Sequence, residues 1–478
     1  MYRDLGYHLF DPGPGQPHLE RTDLEARLDS FTERRSLAFF VQLSDFQLAD
    51  DEAPTRLSRF DNPIIRGGLR AQEAYLPRAV SAMSRTLTRI EPAGDGFDFG
   101  IITGDCADSA LRNELEWMIA LMNGTPGLHT DSGEDDDPVP GPDNDPKDPF
   151  DPTPFPAQWL YVPGNHDVEV VGVSLPTDAS RAAALGNNAT GGTRDYRRWF
   201  AEVVTGEVPA DAHRVLLERD AIVETLRSAS SVGPEGPPGH GYPASGTVDT
   251  TLGANWAHDA IPGLLRILAL DTSDRTGGSL GMVRRGTIDG WLIPELDRAI
   301  DDGVLVFLAS HHSTLSINRI RGELGDTEVE DALTGEELEA LVSSRPEVIA
   351  WLVGHSHDNR VRAIADPTGA HPGYWEIMTS AMADYPGQAR TIELVDNGDG
   401  TISLFGTLID FDTDDCFERR FRALMQIEYA SGWADDVSLE PRDHNVELIR
   451  VIPPNARTAV ESARARARID SVTSLVGL

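Results

Sequence analysis

Residues 158–167 read QWLYVPGNHD: a short apolar run, a Pro-Gly break, then three polar side chains able to bind cations or move protons. The same pattern recurs along the chain. SLAFFVQLS (36–44) ends at Asp45, FDFGIIT (97–103) at Gly104-Asp105, and LLRILAL (264–270) at Asp271. VLVFLAS (304–310) ends at His311 and VIAWLV (348–353) at Gly354-His355. Continuous apolar runs of this length, bounded by turn residues, predict strands buried on both faces. LPRAVSAMSRTLTRI (76–90) and LRNELEWMIALMNG (111–124) predict helices between them. TGEELEALVSSRP (334–346) predicts another, with a Thr cap, a Glu three residues on and a stop before Pro346. Alternation of this kind predicts α/β layers. YWEIMTS (374–380), TIELVDN (391–397) and TISLFGTLID (401–410), with Asn-Gly-Asp-Gly at 397–400, predict antiparallel strands.

Side by side, the strand ends make five polar clusters. They are Asp45-Phe46-Gln47, Gly104-Asp105, Gly164-Asn165-His166-Asp167, His311-His312 and Gly354-His355-Ser356-His357. The C-terminal edge of an α/β sheet is where ligands bind. Two divalent ions about 3.5–4 Å apart can clamp a phosphoryl group and generate a hydroxide nucleophile. One carboxylate must bridge them, which suits Asp105. Oxygen ligands with imidazoles suit manganese, iron or zinc. With Cys106 and Cys416 the only cysteines, neither a thiolate zinc site nor a disulfide framework is implied. Each motif alone is weak, because a lone Asp after a strand is usually a cap and Gly-His-Ser-His is often a turn. Their joint occurrence in this order is the signal.

The series resembles the calcineurin-like metallophosphoesterase superfamily, from about residue 36 to 410. The resemblance implies a four-layer αββα sandwich with large insertions and two metals at one edge. It implies that Asp45, Gln47, Asp105 and His357 hold one ion, and Asp105, Asn165, His311 and His355 the other. A hydroxide bridging the ions would attack phosphorus in a phosphodiester, phosphomonoester or pyrophosphate. His166 would stabilise the charged oxygens or protonate the leaving group, and Asp167 would orient a neighbouring imidazole. Gln47 departs from the family's usual His. A neutral amide oxygen favours a labile ion, manganese or iron rather than zinc. Asp-x-Gln is similar to the opening of the manganese-dependent ADP-ribose and CDP-alcohol diphosphatases, which suggests a small nucleotide-like substrate. SDFQLADDEAPTR, GDCADSALRNELEW, WLVGHSHDN and TSAMADYPGQAR resemble a poorly characterised actinobacterial branch of the superfamily.

Composition constrains partners. The chain has 78 acidic and 41 basic side chains, a net charge of −37. Such a field repels nucleic acid and anionic membrane, arguing against a nuclease on this fold. No segment reaches the ~18 continuous apolar residues of a membrane span. MYRDLGYHLFDPGPGQPHLE lacks the form of a signal peptide, so the expected location is the cytoplasm. The reading divides the chain into an N-terminal extension (1–35), a catalytic domain (36–416) and a C-terminal tail ending in a helix (417–478). Within the domain lie an acidic, disordered-like loop (131–157) and an insertion (172–260) expected to overhang the metals. His240, Asn113, Tyr385 and His312 are candidate substrate contacts, while Asp108 and Asp271 read as caps. The rival from another class is a catalytically inactive member that binds a protein partner. Retention of every ligand but one argues against it.

Overall fold

The computed structural model describes residues 4–6, 9, 13–28, 33–56, 58, 61, 66–90, 96–133, 139–188, 206–229, 239–243 and 248–466. Among these the strands, in chain order, are β1 (Leu19–Arg21), β2 (Arg35–Leu43), β3 (Phe99–Ile102), β4 (Trp159–Tyr161), β5 (Trp256–Ile261), β6 (Leu265–Ala269), β7 (Val283–Arg284) and β8 (Leu305–Ala309). They continue with β9 (Ala332–Leu333), β10 (Val348–Val353), β11 (Arg360–Ile364), β12 (Tyr374–Met378), β13 (Gln388–Asp396), β14 (Thr401–Asp410) and β15 (Val446–Val451). One sheet runs β1-β15-β14-β13-β2-β3-β4, a second runs β11-β12-β10-β8-β6-β5, and β7 pairs with β9.

Register positions the chemistry. β2, β3 and β4 are parallel, with Leu43 level with Ile102 and Ile102 level with Tyr161. In the second sheet β8 and β10 are parallel, with Ala309 level with Leu352. The residues just beyond these ends, Asp45, Asp105, Asn165, His311 and His355, therefore leave their sheets at the same height. Side chains of both sheets share one apolar core. Phe40 of β2 stacks on Phe99 at 4.5 Å and meets Phe307 of β8 at 5.6 Å. Burying each ring fully is worth about 1.5–3 kcal/mol. Polar contacts join the sheets near the site: Gln42 Nε2 donates to the Val353 carbonyl at 2.9 Å, and the Met382 amide to Ser44 O at 3.1 Å.

Helices Leu76–Ile90 and Arg112–Asn123 add apolar side chains to the shared core. Gly335–Ser343 and Ile293–Asp302 contribute to a separate core with β6, β8 and β10. Thr334 caps Gly335–Ser343 as expected.

Three regions depart from the sequence reading. The presumed extension and tail belong to the larger sheet: β15 pairs antiparallel with β14 and parallel with β1. The helix Cys416–Ala430, capped by Asp415, is tied to helix Leu76–Ile90 by Arg85–Glu418 at 2.8 Å. The last helix runs Arg457–Arg466, and the remainder of its expected span lies outside the described residues. The acidic loop is packed where described. Asp145 and Asp148 accept from nearby backbone amides, Lys147 pairs with Asp51 at 2.7 Å, and Phe155 is buried. Its aspartates satisfy its own backbone, which composition alone does not show. Residues 134–138 lie outside the described residues.

Of the 172–260 insertion, 189–205, 230–238 and 244–247 lie outside them as well. The helix expected around 220–228 is Arg219–Ser228. The described part clamps the loops beside the site. Leu217 N bonds to Ala110 O at 2.8 Å, and buried Arg214 pairs with Asp50 at 2.9 Å and Glu52 at 3.1 Å.

Candidate metal centre

The clusters converge because their backbones turn sharply at the strand ends. Asp45, Gln47, Asp105, His355 and His357 have φ of 52°, 41°, 54°, 75° and 54°. Left-handed conformations at non-glycine residues cost of order 1–3 kcal/mol each and concentrate at functional sites. The first two loops run side by side, with Asp45 N on Gly104 O at 3.0 Å and Gln47 N on Asp105 O at 2.8 Å. Asp167 sits beneath, its carboxylate accepting from the amides of Gly164, Asp105, Cys106 and Ala107 at 2.7–3.0 Å. Burial and the nearby Asp105 carboxylate push it up to about 6. This replaces the expected role of Asp167 as an imidazole's partner: it shapes the Gly-Asp loop.

Close approach explains the motif glycines. A Cβ on Gly354 would overlap Ser44 and Asp45 across the sheet junction. Gly104 has φ of 93°, and a Cβ there would lie 2.7 Å from His311 Nδ1. Gly104→Ala is therefore expected to cost about 1–3 kcal/mol from backbone strain and to displace the His311 ring. A chemical denaturation midpoint equal to wild type would contradict this.

His311 and His357 are oriented by their outer nitrogens, as metal-ligating imidazoles are. His311 Nδ1 lies 2.7 Å from the Thr103 carbonyl, leaving Nε2 3.0 Å from Asp105 Oδ2. His357 Nδ1 lies 2.6 Å from Asp384 Oδ2, leaving Nε2 3.3 Å from Asp45 Oδ1. His355 Nδ1 is 3.2 Å from His311 Nε2, and its amide donates to Asp45 Oδ2 at 3.1 Å. The Asn165 amide nitrogen donates to Gly172 O at 2.9 Å, which turns its oxygen the other way. Asn165 Oδ1 is buried without a hydrogen-bond donor. A buried oxygen in that state calls for a missing partner.

Asp45, Asp105 and His311 each place a ligand atom within 4.8 Å of the others, as do His311, His312 and His355. The oxygen and imidazole donors of Asp45, Asp105, His311, His355 and His357 are brought together and fit a divalent cation. Gln47 lies beside them: its Oε1 accepts from Arg70, and its Nε2 faces Asp105 Oδ2 at 3.5 Å. Arg70, a residue the sequence reading passed over, thus orients the Gln47 amide.

Protonation follows from this crowding. Burial disfavours charge on His311 and His357. The Asp105 and Asp45 carboxylates outweigh it at His311, pushing it up to about 9, and Asp45 and Asp384 push His357 up to about 10. Burial and the neighbouring His311 push His355 down to about 3. For His311 and His357 the folded values exceed the usual 6.5. In metal-free protein their ion pairs therefore contribute stability that is fully present below pH 6.5 and lost as pH rises through about 9 and 10. Cations and protons compete for the same nitrogens. The melting temperature of chelator-treated protein is expected to fall over this alkaline range, while stabilisation by manganese grows. A manganese effect independent of pH would contradict it.

His166 lies beside the cluster, its amide on Asp105 Oδ1 at 2.8 Å and its Nδ1 2.6 Å from the Asp108 carbonyl. The Asp108 carboxylate is 4.0 Å from the ring and 3.5 Å from Arg70, so Asp108 supports the site and does not cap the following helix. Asp271 caps its turn as expected, accepting from the Ser273 amide at 3.1 Å, and also pairs with Arg219 at 2.8 Å.

The proposed substrate contacts fare differently. His312 is buried, with Nδ1 on Thr272 Oγ1 at 2.9 Å and Nε2 on Ser279 O at 3.1 Å, so both ring nitrogens have protein partners. His240 is buried and stacked on Trp159 at 3.4 Å, a packing position and not a cleft position. Asn113 is buried and donates to Asp50 at 2.7 Å. Tyr385 stacks on Tyr429 at 4.3 Å, while its neighbour Asp384 reaches the cluster. His312, His240 and Asn113 are thus each held by protein partners.

No protein-family model and no curated protein matches the chain. Among solved structures it is similar to a purple acid phosphatase isolated from yellow lupin (Lupinus luteus) seeds, at 11% identity and a TM-score of 0.33. That likeness covers 79% of this chain and 52% of the lupin chain, so this chain spans about half the length of that phosphatase.

Proposed function

We propose that this chain is a metal-dependent phosphoester hydrolase of calcineurin-like type, with its catalytic centre where the two sheet edges meet. The observation that carries the reading is the convergence of Asp45, Asp105, His311 and His355, with His357 against Asp45 and the Asn165 Oδ1 buried without a donor. Two divalent cations bound there supply Lewis acidity and an acidified water at neutral pH.

The chain's own residues do the rest. Asp105 faces His311 through Oδ2 and the His166 amide through Oδ1, and it would hold both cations. The Asp108 carbonyl fixes the His166 ring, and a proton carried on Nε2 is delivered to the leaving oxygen. The αββα arrangement and the actinobacterial branch belong to this reading, as do manganese or iron in preference to zinc. The charge of −37 supports a small, nucleotide-like phosphorylated substrate over nucleic acid. The insertion, clamped against the 48–53 and 108–112 loops, sets which substrate enters. Among the described residues no helix is long and apolar enough to cross a membrane.

The test is hydrolysis by the manganese-loaded chain of bis-p-nitrophenyl phosphate, p-nitrophenyl phosphate and a nucleoside diphosphate sugar. Turnover of at least one is expected, and their ratio assigns diester, monoester or pyrophosphate specificity. A folded, metal-loaded chain inert towards all of them would favour the partner-binding alternative.

A further inference from the structure

β6 brings a second group of polar side chains beside the metal centre. It runs parallel to β8 with Ala269 level with Ala309, so Asp271 leaves the sheet level with His311, one strand spacing of about 4.8 Å away. Next along the chain, Thr272 Oγ1 lies 2.9 Å from His312 Nδ1. The residues that follow wall a cavity of about 180 Å³, lined by Asp271, Ser273, Arg275 and Arg284, with exposed Thr251 and Gly286 at its mouth. A water's share of liquid volume is about 30 Å³, so the space takes a group much larger than one solvent molecule.

The lining offers donors. Ser273 is buried, and among the described residues its Oγ has no hydrogen-bond partner. A buried hydroxyl in that state calls for one. Arg275 gives one nitrogen to the Thr250 carbonyl and Arg284 one to Asp331 at 3.3 Å, out of five N–H donors each. Burial and the guanidiniums of Arg219 and Arg284 hold Arg275 below its usual value, so three cations crowd the cavity. Asp271 answers Arg219 at 2.8 Å and accepts from the amides of Ala254 and Ser273. Arg275 has no carboxylate in ion-pair contact among the described residues, and Asp271 and Asp249 act on it only from farther off. A chain of net charge −37 repels anions at long range, which makes this local excess of guanidinium donors selective for an anion at close range. The fork of an Arg side chain matches the oxygens of a phosphoryl group.

We propose that this cavity is a phosphoryl-anion subsite, in which Arg275, Arg284 and the Ser273 hydroxyl hold the second phosphoryl group of a diphosphate substrate while the first lies at the metals. It rests on the hydrolase reading above and deepens it. Free inorganic phosphate offers the same chemistry, and the two arms of the experiment separate these sources.

In the first arm, chelator-treated full-length chain is titrated with inorganic phosphate by calorimetry, as wild type, Ser273→Ala and Arg284→Met. Saturable binding is expected in wild type, weakened about tenfold or more in each variant, the share of one hydrogen bond to a charged group. Ser273→Ala removes a hydroxyl that bonds to nothing described, so its fold is expected to persist, and it decides alone if Arg284→Met does not fold. In the second arm, the manganese-loaded forms are compared on a nucleoside diphosphate sugar and on p-nitrophenyl phosphate. A KM raised at least tenfold more for the diphosphate in both variants assigns the subsite to substrate. Equal KM changes, with phosphate binding lost, assign it to free phosphate. Wild type without saturable phosphate binding, or either folded variant with wild-type phosphate affinity, overturns the subsite and leaves the hydrolase reading intact. Phosphate binding lost in the variants of a chain that hydrolyses neither compound keeps the subsite and counts against the hydrolase reading instead.

Discussion

Asp105→Asn is expected to abolish metal-dependent turnover and to strip at least one cation from the chain. Asp105 Oδ2 faces His311 Nε2 at 3.0 Å and Gln47 Nε2 at 3.5 Å, while Oδ1 accepts from the His166 amide at 2.8 Å. An amide must point N–H donors at one of these partners, and it removes the charge that draws both cations in. Metal ions supply several kcal/mol of transition-state stabilisation, and each ~1.36 kcal/mol is tenfold in rate. A loss on the order of 10³-fold or more follows. Metal analysis with circular dichroism separates loss of cation from loss of fold. Full metal content with rates near wild type would show that Asp105 bridges nothing.

His166→Ala is expected to act differently. The ring lies beside the ligands and is held by Asp108. Its removal should leave metal content unchanged and lower kcat by roughly 10²–10⁴-fold, the usual contribution of a positioned proton donor. The loss depends on the leaving group. A p-nitrophenolate leaves without a proton, so aryl esters should lose least and alkyl esters most. Equal losses for both would assign His166 to positioning the phosphoryl oxygens and not to proton delivery.

How far these residues could be read from sequence depends on the range of the interactions that place them. β10 and β14 match their expected spans, 348–353 and 401–410, because an apolar run or an alternation bounded by turns is a local signal. The polar clusters were legible for the same reason, each following such a run. β1, Leu-Glu-Arg, has no local signal and is a strand through its pairing with β15. β15 interleaves Glu447 and Arg450 with apolar residues. Both are buried because Glu447 meets Ser403 at 2.8 Å and Arg450 meets Glu25 at 2.9 Å, partners distant in sequence. β11 hides similarly behind Arg360 and Arg362, the latter paired with Glu376 at 2.7 Å. Arg70 and Asp384 show the same limit inside the site. Separated by 314 positions, they join only when the two sheet edges close. Neither ends a strand in the pattern that exposed the candidate ligands, and their hold on Gln47 and His357 appears only in three dimensions.

The most direct test of the central claim is turnover of bis-p-nitrophenyl phosphate by chelator-treated wild type during manganese titration, beside Asp105→Asn. Activity that vanishes with chelator, returns in step with bound manganese and stays absent in Asp105→Asn is the expected result. Turnover that survives chelation, or folded protein that binds manganese and never hydrolyses a phosphoester, would contradict it.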